Sequence, residues 1–185
     1  MSEDILVKNS SPTLAGIKTG SLFSCPFVSP RQMRMCVGKW NRSLSGKGIR
    51  VVSLRYSEGR SLVYVFRPRL LARDLAEPEA AALLKQRGYD AAMPRACLSR
   101  LKRRINAGNG FPHEIGLFLG YPPADVDGFI RDNRGYQYSG IWKVYGNVAE
   151  TKALFAQYKE CTQALCAKLN SGCPITELAA AEVLK

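Results

Sequence analysis

Apolar side chains recur along this chain with two different periods. From Ile49 to Tyr56 and from Ser61 to Arg67, β-branched and aromatic residues crowd together, with Ser57-Glu58-Gly59-Arg60 between the two runs. That pattern predicts a β-hairpin. In the first run Val52, Leu54 and Tyr56 share a face. In the second, Leu62, Tyr64 and Phe66 share one face, while Val63 and Val65 occupy the other. A strand that is apolar on both faces belongs in the middle of a sheet. Elsewhere the spacing is helical. Met33, Val37, Trp40 and Leu44 follow Ser29-Pro30, a capping serine and a first-turn proline, and run to a stop at Gly46. Shorter helices are predicted over Pro68–Leu75, Pro78–Arg87 and Pro94–Ile105, the last with Cys97, Leu101 and Ile105 inward. Asn147, with Glu150 three residues on, caps a long helix whose inner face is Leu154, Tyr158, Cys161, Leu165 and Leu169, ending at Gly172. A short helix from Ile175 closes the chain.

Three stretches are less regular. Residues 1–12 read as loosely ordered, Thr13 to Phe27 as one strand or two short ones, and Tyr138 to Tyr145 as a strand around Ile141, Trp142 and Val144. Strands come in blocks instead of alternating with helices. The expectation is an α+β fold, a small mostly antiparallel sheet packed with several helices, in a single domain over residues 1–185.

Length and composition are those of a globular protein: 185 residues, 46% hydrophobic and 23% charged. No uncharged run exceeds the twelve residues between Lys18 and Arg31, too few to span a membrane. The start, with Glu3 and Asp4, lacks the basic and apolar stretches of a signal peptide, so the expected compartment is the cytoplasm. The charge changes the picture more. Lys and Arg number 27 against 15 Asp and Glu, a net +12. Residues 1–110 hold 20 basic and 7 acidic residues, whereas residues 111–185 hold 7 and 8. The chain thus divides into a basic half, 13–110, and a neutral half, 111–185. Such a field attracts anions and speeds association with acidic partners; its bland counterpart is a surface that only keeps the protein soluble. The helix over 94–105 carries Arg100, Lys102, Arg103 and Arg104 around its apolar stripe, either a solvated face or an anion-binding one.

The six cysteines, at 25, 36, 97, 161, 166 and 173, form no C-x-x-C pair, and the lone histidine is His113. No metal site is expected from such spacing, and the cysteines read as free, mostly buried thiols.

Residues 111–130 hold the densest motif, Phe-Pro-His-Glu-Ile-Gly-Leu-Phe-Leu-Gly-Tyr-Pro-Pro-Ala-Asp-Val-Asp-Gly-Phe-Ile. It predicts two short helices, one from Pro112 with Ile115, Phe118 and Leu119 inward, one from Pro122-Pro123 with Val126, Phe129 and Ile130 inward. The spacing imitates a DNA-binding helix-turn-helix. Asp125, Asp127 and Asp132 on the second helix would oppose phosphates, so a structural corner is the better reading. This stretch, with Ser139-Gly140-Ile141-Trp142-Lys143-Val144-Tyr145 after it and Thr13-Leu14-Ala15-Gly16-Ile17-Lys18 near the start, resembles a bacterial family catalogued as domain of unknown function 3793. The resemblance covers nearly the whole chain. It implies no activity, cofactor or catalytic residue, and it suggests an association with flavodoxin or iron-handling proteins in anaerobic bacteria.

Two functions from different classes follow. The first is a non-enzymatic accessory module whose basic half docks an acidic protein, flavodoxin-like in the light of the resemblance, or another anion. The second is an enzyme or small-ligand site. Its catalytic candidates are His113, Glu114 and Lys143, since a lone histidine beside a carboxylate or an amine can serve as a base. Its binding candidates are Tyr121 and Tyr145, with Asp125 nearby. Nucleic-acid binding through the basic surface ranks third. No nucleophile elbow, phosphate loop or metal cluster names a reaction or a cofactor.

Overall fold

The computed structural model describes residues 3–108 and 110–181. In chain order they form α1 (Glu3–Leu14), β1 (Gly20–Pro26), α2 (Pro30–Leu44), a 3-10 turn (Ser45–Lys47), β2 (Arg50–Ser57), β3 (Arg60–Phe66), α3 (Pro68–Ala76), α4 (Pro78–Gln86), α5 (Pro94–Asn106), α6 (Ile115–Phe118), α7 (Pro123–Arg131), β4 (Tyr138–Ser139), β5 (Lys143–Val144), α8 (Val148–Asn170) and α9 (Ile175–Leu178). Both sheets are antiparallel, one of three strands and one of two, so the α+β class holds. The chain divides into two compact units, Met1–Arg69 with Tyr158–Lys185, and Leu70–Gln157.

In the first unit the strand order is β1-β3-β2. The strand that is apolar on both faces is therefore the central one. Val63 and Val65 enter the core, and Tyr64 is equally buried, stacked on Phe66 at 4.8 Å. The shared face expected of Val52, Leu54 and Tyr56 is broken by a bulge: Ser53 pairs with Val63, Arg55 with Leu62, and Leu54 is the extra residue. A bulge moves every following side chain to the opposite face. Val51, before the bulge, and Leu54, at it, are buried, whereas Tyr56, beyond it, is exposed. Ser29 caps α2 as its sequence requires, its hydroxyl accepting from Gln32 N at 3.2 Å. Met33, Trp40 and Leu44 are buried against the sheet residues Phe23, Cys25 and Val51. Each contributes about 1.5–3 kcal/mol by leaving water.

The start of the chain corrects the sequence reading. Residues 3–14 form α1, with Leu6, Val7 and Leu14 fully buried in the same core. The polar run Asn9-Ser10-Ser11-Pro12 looks like a loop, but small side chains let α1 approach the sheet closely. Ser11 Oγ donates to Val7 O at 2.7 Å, and the Thr13 and Ser21 hydroxyls meet at 2.9 Å, so these three hydroxyls keep a partner on burial, whereas Ser10 Oγ is buried with none among the described residues. Residues 1 and 2 of the stretch lie outside the described residues.

Arg67, only 3% exposed, organises this end of the unit. Its guanidinium donates to Thr13 O at 2.7 Å, Leu14 O at 2.6 Å, Lys47 O at 3.1 Å and Ala180 O at 2.9 Å. Four carbonyls converge on one fork, which suits arginine and not lysine. Gly16, with φ +80°, makes the turn after α1 in a left-handed conformation that favours glycine, and it lies against the Arg67 guanidinium. The Thr13–Lys18 motif is thus the receiver for Arg67. The Lys18 amine donates to Gly20 O at 2.7 Å, and burial lowers its pKa to about 8.

In the second unit Cys97, Leu101 and Ile105 of α5 face inward as their spacing requires. The helix expected from Pro112 is shorter. Residues 112–114 form a turn, and only Ile115–Phe118 are helical. The strand expected over 138–145 is instead a tight hairpin of β4 and β5, with Tyr138 opposite Val144 and Ser139 opposite Lys143. Gly140, Ile141 and Trp142 turn the corner, which leaves Ile141 51% exposed. Asn147 caps α8 by accepting from Glu150 N at 3.2 Å. Of the inner face expected along α8, Tyr158 is buried, and Leu154, Cys161, Leu165 and Leu169 are half-buried.

Candidate functional site

The corner between α6 and α7 is built on a buried carboxylate. Asp125 sits in the first turn of α7, where a helix favours negative charge. One of its oxygens accepts from Trp142 Nε1 at 2.7 Å, and the other from Tyr145 N at 2.7 Å and Gly146 N at 2.9 Å. These three bonds fix the β4–β5 hairpin against α7. The approach is close enough that a β-carbon at Gly128 would collide with the Tyr145 ring. Of the carboxylates expected to face outward, Asp125 therefore points inward, and Asp127 pairs with Arg131 at 2.7 Å.

Beside this corner lies a cavity of about 360 Å³. Tyr121 stacks on Trp142 at 4.2 Å to form one wall. Phe129 lies between two sequence-predicted candidates. The His113 ring meets it edge-on at 4.9 Å, and the Lys143 amine stands 5.4 Å from its centroid. Lys143 also donates to Asn133 O at 2.6 Å and lies 4.6 Å from the Tyr136 ring. His113 is exposed, and among the described residues its imidazole nitrogens have no hydrogen-bond partner. Burial pushes the Tyr121 phenol up to about 12, so it stays protonated. The structure thus brings His113, Tyr121 and Lys143 to one cavity.

The other candidates lie outside that cavity. Glu114, 2% exposed, borders with His113 and Arg104 a second cavity of about 430 Å³. Its carboxylate accepts from Tyr89 Oη at 2.8 Å and pairs with Arg104 Nε at 2.9 Å. Burial above all, then the bond to Glu114 and its charge, push the Tyr89 phenol far above its ordinary range, while Arg104 and Arg100 pull it down. Tyr145 donates its hydroxyl to Asp132 O at 2.7 Å. The basic face of α5 is divided. Arg104 is paired with Glu114, and Arg100 donates to Arg87 O at 3.1 Å with its guanidinium 5.4 Å from the Tyr89 ring. Of the four, Lys102 and Arg103 are exposed, and Arg100 and Arg104 are half-buried.

The denser cationic surface lies on the first unit. Residues 20–69 hold ten Lys and Arg against one acid, Glu58. On α2, Arg31, Met35, Gly38 and Arg42 follow at helical spacing with Arg34 and Lys39 on either side. Met35 is 66% exposed. Lys39 lies 3.8 Å from Glu3, whereas Arg31, Arg34 and Arg42 have no ion pair or hydrogen bond among the described residues. The segment's charge could have revealed this face, since α2 contains four cations and no acid. Helical periodicity drew attention instead to its buried side.

Fold and surface together define a small α+β protein with a cationic helix face and an aromatic cavity. The model of one family, described as "Protein of unknown function (DUF3793)", matches residues 6–179, and the chain belongs to that family. No curated protein and no solved structure matches it. Among the described residues, no helix is long and apolar enough to cross a membrane.

Proposed function

We propose that this protein is a non-enzymatic binding module that docks an acidic protein partner through the exposed face of α2. The observation that carries the reading is the unneutralised trio Arg31, Arg34 and Arg42 around exposed Met35. Interfaces are enriched in Arg and Met at the contact, and complementary charge raises association rates. Arg42 continues onto a shallow groove with Arg50 and Val52, which extends the cationic face along the edge strand β2. The basic half inferred from sequence is kept, but the docking residues move from α5 to α2. Arg100 and Arg104 are engaged inside their own unit, where reversal would leave Glu114 buried without its cation.

The test is capture from a lysate of the native host on the immobilised full chain, with and without nuclease. The expected result is that acidic proteins are retained after nuclease treatment and released by salt. The triple reversal Arg31→Glu, Arg34→Glu and Arg42→Glu abolishes retention without moving the melting temperature. Retention that the reversal leaves intact refutes the reading, and retention that vanishes with nuclease assigns the face to nucleic acid instead.

A further inference from the structure

The aromatic cavity belongs to other residues than the docking face and calls for a different ligand. We propose that it binds a small planar aromatic acid, with the ring held among Phe129, Trp142 and Tyr121 and the carboxylate at Lys143 and His113. Four observations converge. The volume, about 360 Å³, falls in the roughly 300–1,000 Å³ range of small-molecule sites. The walls are flat rings that already pair with one another, Tyr121 with Trp142 and His113 with Phe129. The mouth is apolar and uncovered, since Phe111 is 42% and Ile141 51% exposed.

The fourth observation is the charge. Lys143 lines the cavity, and among the described residues its contacts are a carbonyl and two rings, with no carboxylate. The exposed imidazole of His113, without a hydrogen-bond partner among the described residues, adds a polar edge on the other side of Phe129. Asp125 also borders the cavity, but its oxygens are occupied by three donors and the first turn of α7. Besides the neutral hydroxyl of Ser139, the groups left to meet a ligand include a cation, an imidazole and aromatic faces. A purely apolar ligand would offer the amine and the imidazole no complementary charge or acceptor, and an aliphatic acid would forgo stacking.

Calorimetric titration of the full chain with benzoate, indole-3-carboxylate and 2-naphthoate tests this, with 3-methylindole and cyclohexanecarboxylate as the neutral and the non-aromatic comparator. At least one aromatic acid binds saturably at one site, roughly tenfold or more tighter than either comparator. Lys143→Met removes the preference for the acid and leaves the neutral ring unaffected. Ile141→Glu, at the exposed rim and outside the core, repels the acid and keeps the test decisive if Lys143→Met fails to fold. Shifts in the amide signals of Gly140 and Ile141 locate the ligand. No saturable binding by any of the three acids, equal binding of 3-methylindole, or insensitivity to Ile141→Glu overturns the proposal.

Discussion

Replacing Asp125 by Ala removes one carboxylate and leaves three donors behind. The indole nitrogen of Trp142, a residue 8% exposed, loses its acceptor, as do the amides of Tyr145 and Gly146. A hydrogen bond to a charged group is worth about 1.5–3 kcal/mol net, and a buried donor left unsatisfied costs about 1–3 kcal/mol. The three bonds share one carboxylate and are not additive. The expected loss is on the order of 4 kcal/mol, or about 8–16 °C in melting temperature for a chain of this size. Asp125→Asn keeps the shape but turns one amide N–H towards a donor, so about half that loss is expected. Thermal melts by circular dichroism give the order wild type, Asn, Ala. The indole N–H resonance of Trp142 shifts upfield in the Ala variant, while that of Trp40, in the other unit, stays in place. An Ala variant that melts within 2 °C of wild type, with the Trp142 signal unmoved, would show that the carboxylate does not anchor the hairpin.

Other consequences are as direct. Arg67→Lys supplies one ammonium where four carbonyls converge and is expected to destabilise the first unit by about 2–4 kcal/mol, read by denaturant midpoint; an unchanged midpoint contradicts the clamp. Lys18 keeps its proton in the unfolded chain up to about 10.5 but loses it near 8 when folded, so between these values the unfolded state binds more protons and stability rises with pH. The gain is at most about 3 kcal/mol. Lys18→Met should flatten that rise, and an identical slope in the variant would refute it. Tyr89→Phe and Glu114→Gln should couple by about 1 kcal/mol or more in a double-mutant cycle of unfolding free energies, because their bond is buried; additive effects would count against the pair.

What the sequence made legible was local. Alternation placed β3 in the middle of its sheet, Ser29-Pro30 marked the start of α2, and spacing picked out Cys97, Leu101 and Ile105. The failures share a cause, which is that the deciding contacts are distant in sequence. Nothing near Asn9-Ser10-Ser11-Pro12 announces a helix. Its support comes from the core beneath α1 and from the Thr13–Ser21 bond. Arg67 looks like the polar end of a strand until Thr13 and Leu14, more than fifty positions earlier, supply its acceptors. At the cavity, His113, Tyr121 and Lys143 were identifiable because an unusual motif contained them. Adjacency put Glu114 beside His113, and the two border one cavity, but nothing local announced the partners of its carboxylate, Tyr89 and Arg104.

The claim that matters most is that the cationic face of α2 holds an acidic partner. Its most direct test is the affinity of the captured partner for the full chain, measured across sodium chloride from low to above physiological concentration. Exposed charges separated by more than about 10 Å lose most of their attraction at 0.1 M salt, and shorter contacts weaken progressively. We expect the dissociation constant to rise steeply with salt in the wild type, chiefly through a slower association rate. The variant carrying Arg31→Glu, Arg34→Glu and Arg42→Glu should bind weakly at every concentration. An affinity independent of salt, or a triple variant that binds like the wild type, would contradict the account.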